Sequence, residues 1–195
     1  MRYSSGHKEE TRRKILDIAA QRFRKEGVEA VGVASVMAEA GLTHGGFYAH
    51  FKSKDELVAA ALEQAMCDST KRIFTLAEQA ENPIGAYIRA YLSPTHRDTV
   101  EMGCAFSSLA PELARHDGTV RTALAGRLEP YLDQIGRLLP TTDPASTRRQ
   151  ANALFSLLMG SLQLARLTED KALSDSILES GIKAALDLVS VFEGV

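Results

Sequence analysis

Several features that define other protein classes are missing from this sequence of 195 residues. No apolar run reaches the roughly 18 residues that a membrane-spanning helix needs, and the first residues lack the apolar stretch of a signal peptide. Two cysteines, Cys67 and Cys104, are too few for a disulfide framework. The histidines lack ligand spacing with cysteines or carboxylates, so neither a metal site nor a cofactor is expected. These absences predict a cytoplasmic protein.

The sequence also lacks a strand signal and an internal repeat, whereas helical periodicity is present throughout. In residues 11–27, the apolar residues Ile15, Leu16, Ala19 and Phe23 fall on one helical face. Gly27 follows where a left-handed residue commonly ends a helix. Residues 33–40 form a second short helical pattern that ends before a glycine. The fold class is therefore predicted to be all-α.

The most informative segment runs from Gly41 to Lys54, GLTHGGFYAHFKSK. Thr43 is a residue type that caps helices through its hydroxyl, so a short helix is predicted to begin there. Gly45 and Gly46 lie inside that helix although each costs about 1 kcal/mol relative to alanine, which indicates a backbone that approaches something closely. The residues Ser53 to Glu56 match a capping box and predict the start of a long helix.

Charge is distributed unevenly along the chain. The formal net charge is −2, which by itself gives no support for nucleic-acid binding. Residues 1–54, however, contain ten basic and six acidic side chains, a net charge of +4, and the remaining residues carry −6. A basic N-terminal part joined to an acidic remainder is consistent with DNA binding by one end of the molecule.

A helix, a turn containing glycine, and a second helix that opens at Thr43 together make a helix-turn-helix. With these residues the chain resembles the TetR family of bacterial regulators over about residues 8–58. The matching residues are Thr11, Ile15, Leu16, Ala19, Phe23, Gly27, Val33, Val36, Ala40, Gly41, Leu42, Thr43, Gly45, Phe47, Tyr48, His50, Phe51, Lys54 and Leu57. Two positions depart from the family pattern: Gly32 replaces the usual capping residue, and Met37 replaces a small residue.

The resemblance implies a role for each matched position. Thr43, His44, Gly45 and Gly46 would face DNA, and His44 would contact either a base edge or only a phosphate. Three further residues would bond phosphates, namely Tyr48, His50 and Lys54. Phe47 and Phe51 are expected in the hydrophobic core. The predicted domains are a DNA-binding domain at 1–53 and a ligand-binding and dimerisation domain at 54–195.

The second part of the chain predicts further helices, about nine in the whole molecule. Pro83, preceded by the capping residue Asn82, is expected at the start of a helix of about residues 84–92. Residues 93–98 are expected to form a loop. Residues 104–114 are expected to form a short helix interrupted near Pro111. One helix is then expected to run from about residue 117 to 139. The last two helices, at about 145–167 and 174–192, would form a homodimer interface, as the family implies, and a dimer implies a palindromic operator in double-stranded DNA.

The resemblance also implies a small-molecule inducer of unknown identity that binds inside the second domain. Aromatic, sulfur-containing and other apolar side chains there are candidates for lining its pocket, although such residues on helices also form ordinary cores. The candidates are Phe74, Tyr87, Tyr91, Met102, Cys104, Phe106, Tyr131, Phe155 and Met159.

Three functional hypotheses follow, of which a dimeric repressor released by an inducer is the first. The second is a regulator that senses electrophiles or oxidants through Cys104, which could begin a helix near His96 or Arg97. The third is a DNA-binding protein that senses no ligand. An enzyme using Cys104 with His96 or His116 has no supporting motif and leaves the first 58 residues unexplained, so the chain is not predicted to be an enzyme.

Overall fold

A computed structural model describes residues 5–115, 118–141 and 143–191. Within these ranges the regular structure is helical and no strand occurs, which confirms the all-α prediction. Two short 3-10 helices, His44–Ala49 and Val100–Met102, accompany the α helices. The α helices are α1 (Ser5–Glu26), α2 (Val33–Glu39), α3 (Lys54–Glu78), α4 (Pro83–Tyr91), α5 (Pro94–Asp98), α6 (Ala105–Leu113), α7 (Thr119–Ala125), α8 (Leu128–Leu138), α9 (Pro144–Leu167) and α10 (Lys171–Val191).

The chain forms two compact units. The first comprises Met1–Asp68 together with Cys104–Ala125, and the second comprises Ser69–Gly103 together with Gly126–Val195. Helix α3 therefore begins in the first unit and ends in the second. These units are defined by contacts, whereas the boundary predicted between residues 53 and 54 divides the chain by function. That boundary stays a prediction.

Local chemistry sets the helix ends in the first unit. Gly27 and Gly41 both have a left-handed backbone, with φ of +87° and +77°, and they follow α1 and α2 as predicted. Ser53 accepts a hydrogen bond from the Glu56 amide at 3.1 Å, and the Glu56 carboxylate accepts one from the Lys52 amide at 2.8 Å. The predicted Ser53 cap of α3 is thereby confirmed, whereas the Glu56 carboxylate bonds the amide before Ser53 and not the Ser53 amide that a regular capping box uses. Gly32 precedes α2 without a side-chain cap.

Small residues set the spacing of helices in the second unit. Gly181 of α10 faces Ser161 of α9, and a β-carbon on Gly181 would lie 2.7 Å from the β-carbon of Ser161. In the same way, a β-carbon on Gly136 of α8 would lie 2.8 Å from Thr147 Cγ2 of α9. These distances are shorter than van der Waals contact, so both helix pairs require glycine to pack this closely.

Several predicted boundaries in this part of the chain were wrong. Residues Pro94–Asp98 form helix α5 rather than a loop, because the Ser93 hydroxyl caps it by accepting the His96 amide at 3.1 Å. The helix predicted from residue 117 to 139 is two helices, since Pro130 lacks the amide hydrogen that a continuous helix would use and lies instead in the first turn of α8. Pro111 does not interrupt α6, which ends two residues later.

The predicted starts of two other helices were closer to the structure. Asn82 accepts a hydrogen bond from the Gly85 amide at 2.9 Å and Pro83 is the first residue of α4, as the sequence indicated. Helix α10 begins at Lys171, three residues before the predicted start, because the Asp170 carboxylate accepts the amides of Ala172 and Leu173. In the described part of the chain, no helix is long and apolar enough to cross a membrane.

Candidate nucleic-acid interface

The helix-turn-helix consists of α2, the turn at Gly41, and the 3-10 helix His44–Ala49. The turn is closed by the Leu42 amide, which donates to the Met37 carbonyl at 2.9 Å. Thr43 precedes the 3-10 helix, but its hydroxyl makes no capping bond, so the predicted side-chain cap was wrong. The Thr43 carbonyl instead accepts the Gly46 amide at 3.0 Å, which leaves the exposed hydroxyl able to bond another molecule.

The inner side of this 3-10 helix is hydrophobic. Phe47 and Phe51 are buried, and their rings stack with centroids 5.6 Å apart. Met37 is also buried and places its Cε 3.8 Å from where a β-carbon on Gly46 would lie. The expectation that both phenylalanines belong to the core is confirmed, and Met37 fills the space beneath the second glycine.

The outer side presents polar groups and bare backbone. Thr43, His44 and Gly45 are exposed, and Tyr48 is 67% exposed. The His44 and Tyr48 rings meet edge to face at 6.2 Å. A β-carbon on Gly45 would have no atom within 4 Å among the described residues, and its backbone needs no left-handed angle. The surface can thus offer two hydroxyls, an imidazole and a closely approachable backbone to a ligand.

Cations from α1 adjoin the end of this surface. The Arg12 guanidinium lies 4.6 Å from the centre of the Phe51 ring, a cation–π contact. Burial, followed by the positive charges of Lys8 and Arg12, lowers the pKa of His50 from its usual value. His50 is half-buried, and because its Nδ1 atom is buried, Nε2 is the ring nitrogen that would meet a phosphate.

Lys8 and Arg12 were not among the predicted site residues. Their signal in the sequence is the cluster of basic residues in the first half of α1, where Arg13 and Lys14 follow. The local sequence could not show that two of these cations approach His50, which is 38 or more residues away along the chain. Lys54, the remaining predicted phosphate ligand, is half-buried as the first residue of α3.

Five of the nine predicted ligand-binding residues form one aromatic cluster in the second unit. Phe74 stacks on Tyr87 at 5.1 Å, and Tyr131 contacts Phe155 at 4.9 Å. Tyr91 joins the cluster through Tyr87 at 5.9 Å and Phe155 at 6.0 Å. The hydroxyl oxygens of Tyr87 and Tyr131 share a hydrogen bond of 3.0 Å. The cluster is buried, so it serves as the core of the unit whether or not a ligand enters it.

The other four candidates lie elsewhere. Met102 is largely exposed in the second 3-10 helix, and Met159 is half-buried on α9. Phe106 is buried in the first unit. Cys104 is 9% exposed and is the residue that precedes α6, as predicted, and it also belongs to the first unit.

The groups named as possible activators of Cys104 have other partners. Arg97 is buried and donates to Asp98, Ser174 and Asp175, which joins α5 to α10. The His96 imidazole donates from Nδ1 to the Tyr91 carbonyl at 2.6 Å, and burial lowers its pKa to about 4. His116 lies outside the described residues. Within those residues, no group of histidine, cysteine and carboxylate side chains could hold a metal ion.

Known proteins resemble the chain in both of its parts. Residues 15–61 match the family described as bacterial regulatory proteins, tetR family, and residues 80–180 match the Tetracyclin repressor-like C-terminal domain. The transcriptional repressor DhaR of Mycobacterium sp. (strain GP1) is 22% identical over 182 residues, which are 90% of this chain and 92% of DhaR.

Solved structures agree in fold. A TetR-family regulator from Streptomyces coelicolor is 26% identical with a TM-score of 0.72, covering 93% of this chain and 97% of its own. AibR, solved with isovaleryl coenzyme A and operator DNA, is 16% identical with a TM-score of 0.62, covering 88% and 96%. With one family match alone spanning more than half of the sequence, the chain belongs to the TetR family and is a helix-turn-helix transcriptional regulator, not an enzyme.

Proposed function

We propose that this regulator is a homodimeric repressor that binds a palindromic operator and is released from it by a small-molecule inducer. The observation that carries the proposal is the two-sided 3-10 helix His44–Ala49, whose inner aromatic residues are buried while its outer polar residues are exposed. A rigid inner side fixes the outer groups in position, which is what readout of a DNA groove requires. DNA binding further implies action in the bacterial cytoplasm.

The proposed DNA contacts divide into two classes. Thr43, His44, Gly45 and Gly46 face the base edges of the major groove, where hydroxyls and imidazoles can distinguish bases. Phosphates are bound by a second set of side chains, in which two cations of α1 join those expected from the sequence. This set is Lys8, Arg12, Tyr48, His50 and Lys54.

The proposed dimer interface is the outer face of α9, with the adjoining face of α10. Small residues on α9, Ala153, Ser156 and Gly160, are exposed along one side. The same side continues into Leu164 and Leu167, which are 57% and 81% exposed. A contiguous apolar strip of this kind is ordinarily covered by another protein surface. A second copy of the chain would cover it, and its two-fold symmetry would match a palindromic operator.

The inducer is proposed to enter the aromatic cluster of Phe74, Tyr87, Tyr91, Tyr131 and Phe155. The side chains there are apolar except for the hydroxyl of Tyr91 and the paired hydroxyls of Tyr87 and Tyr131. A mainly apolar compound with one hydrogen-bonding group suits such a site. Met102, Cys104, Phe106 and Met159 remain ligand-binding candidates that rest on the sequence alone. AibR, which was solved with both a small molecule and operator DNA bound, supports the proposal that one chain binds an inducer as well as DNA.

The test is binding to DNA fragments from the protein's own promoter region and, in parallel, to a genome-wide fragment pool, each across a salt series. Selective binding that weakens steeply with salt is expected, because phosphate contacts release counterions. Tyr48→Phe and Lys54→Ala should each weaken binding several-fold. Lys71→Ala is the matched control, since Lys71 is an exposed lysine on the later part of α3.

Each outcome has a distinct meaning. Selective binding with equal effects of Lys54→Ala and Lys71→Ala would keep the regulator and reject the phosphate role of Lys54. Absence of selective binding in both the promoter fragments and the genomic pool would reject the proposed operator-binding function. A selected operator also permits a screen for inducers, and a protein released by no compound would be a DNA-binding protein without ligand sensing.

A thiol sensor is the second candidate, favoured by the position of Cys104 directly before α6. A helix N-terminus stabilises a thiolate, although the burial of Cys104 opposes this. The matched pair of variants is Cys104→Ser and Cys67→Ser, because Cys67 is exposed. Release of wild-type protein from DNA by hydrogen peroxide or N-ethylmaleimide, abolished only by Cys104→Ser, would support this candidate. Release that persists in Cys104→Ser would reject it.

A further inference from the structure

The turn between α1 and α2 is held by a side chain from a distant helix. Glu112, in the last turn of α6, accepts the Val28 amide through Oε2 at 3.1 Å and the Glu29 amide through Oε1 at 2.9 Å. The two amides follow the left-handed Gly27, so neither belongs to a helix ladder. One carboxylate therefore supplies both acceptors, and hydrogen bonds to a charged acceptor are stronger than those between neutral groups.

Gly27 is required at this turn for two separate reasons. Its φ of +87° is a conformation that other residues rarely adopt. A β-carbon at this position would also lie 2.9 Å from Glu112 Oε2, inside the contact distance of the two atoms. The absence of a side chain at residue 27 thus makes room for the carboxylate of residue 112.

Helix α6 belongs to the first unit by its contacts, but the chain segments before and after it belong to the second unit. Residues Cys104–Ala125 group with Met1–Asp68, whereas the residues on both sides of that segment, up to Gly103 and from Gly126, belong to the other unit. The backbone thus enters and leaves the first unit at the two ends of this segment. The Glu112 contact lies between those two crossings and reaches the turn from which α2 starts.

We propose that Glu112 is a positioning residue for DNA binding, whose carboxylate fixes the α1–α2 turn and through it the orientation of the helix-turn-helix. This inference rests on the proposed function. Loss of the Glu112 carboxylate removes both hydrogen bonds together, so the turn from which α2 starts loses both of these contacts at once. Glu112 itself does not touch DNA in this proposal.

The direction in which Glu112→Gln changes operator affinity distinguishes a positioning role from a simple effect of charge. Glu112→Gln removes a negative charge, which alone would tighten binding to a polyanion. It also leaves one carbonyl acceptor for two amides and brings an NH2 group against one of them. We expect operator binding to weaken about tenfold or more, the change that the loss of one hydrogen bond to a charged acceptor represents. Glu78→Gln, on an exposed position of α3, removes the same charge and should leave binding unchanged or slightly tighter.

Hydrogen exchange and a double-mutant cycle complete the test, all on the full chain. The Val28 and Glu29 amides should exchange faster in Glu112→Gln, with the Ile15 amide of α1 as the unchanged reference. Gly27→Ala should weaken operator binding more in wild-type protein than in Glu112→Ala, because the clash with the carboxylate exists only in the former.

Operator binding by Glu112→Gln as tight as that by Glu78→Gln would overturn the proposal, even if the exchange rates changed. Failure of the wild-type protein to select any DNA would instead reject the proposed function. In that case, unchanged exchange of the Val28 and Glu29 amides in Glu112→Gln would also overturn the role of Glu112 in the turn. Faster exchange would retain Glu112 as a residue that orders the turn.

Discussion

The side-chain oxygen of Ser161 lies 2.6 Å from the position that a β-carbon on Gly181 would occupy. Leu92 Cδ1 lies 2.9 Å from the same point, so the space beside Gly181 is bordered by a residue of α9 and by the residue that follows α4. The packing of α9 against α10 at this point therefore depends on glycine at one position and a small residue at the other.

Gly181→Ala is expected to destabilise the protein by about 1–3 kcal/mol, the usual cost of inserting a methyl group into a packed interface. Urea unfolding measures it. Replacing the clashing side chain should recover part of the loss, so Ser161→Gly combined with Gly181→Ala is expected to be more stable than Gly181→Ala alone. A double variant that is less stable than both single variants would mean that the two residues do not meet in this way.

Leu164→Glu is expected to convert the proposed dimer to a monomer, because it places a charge in the strip of small and apolar residues on α9. Sedimentation velocity at several protein concentrations would detect the change. Leu76→Glu is the matched control, since Leu76 is exposed to a similar extent, 60% against 57%, on a different helix. If Leu76→Glu disrupts the dimer and Leu164→Glu does not, the interface lies elsewhere.

His96 is expected to make stability depend on pH. Burial lowers its pKa to about 4, so between pH 6.5 and 4 the unfolded chain binds a proton that the folded protein does not. Stability is therefore full above about pH 6.5 and falls as the pH drops toward 4, by up to about 3 kcal/mol from this group. Urea unfolding at a series of pH values measures the loss.

The control for this prediction is His96→Gln, which does not titrate. The slope of stability against pH in the range from 6.5 to 4 should be smaller in this variant, with the carboxylate contribution remaining. Equal slopes in the two proteins would show that His96 takes up a proton in the folded state near its ordinary pKa.

His50 is expected to couple DNA binding to proton uptake. Burial and the charges of Lys8 and Arg12 lower its pKa in the unbound protein, whereas a nearby phosphate would raise it. The complex then holds more protons than its components, so affinity should rise as the pH falls through the pKa that the imidazole has in the complex. Fluorescence anisotropy with the selected operator measures this. His50→Gln should bind with a weaker pH dependence, and an unaltered dependence would exclude His50 as its source.

Sequence patterns revealed features that depend on neighbouring residues. The left-handed Gly27 and Gly41 and the caps at Asn82 and Ser53 each rely on groups within a few residues of one another. The aromatic inner side of the 3-10 helix was also predictable, because a buried Phe47 and Phe51 follow from composition and the family resemblance.

Features that depend on distant residues could not be derived in this way. Glu112 meets Val28 and Glu29 across 84 and 83 positions of sequence, and nothing around it distinguishes it from a surface acid. The same holds for Gly181, whose partner Ser161 is on another helix. The approach of Lys8 and Arg12 to His50 likewise appears only once α1 has packed on the helix-turn-helix.

The open space around Gly45 has a consequence for how this regulator can change over generations. Neither the backbone angle nor any neighbour within the described chain requires glycine there. With Gly45 facing DNA as proposed, substitutions at this position would be selected by their fit to DNA and hardly at all by their effect on folding. Target preference could then diverge between descendants through single substitutions at residue 45 that leave protein abundance unchanged.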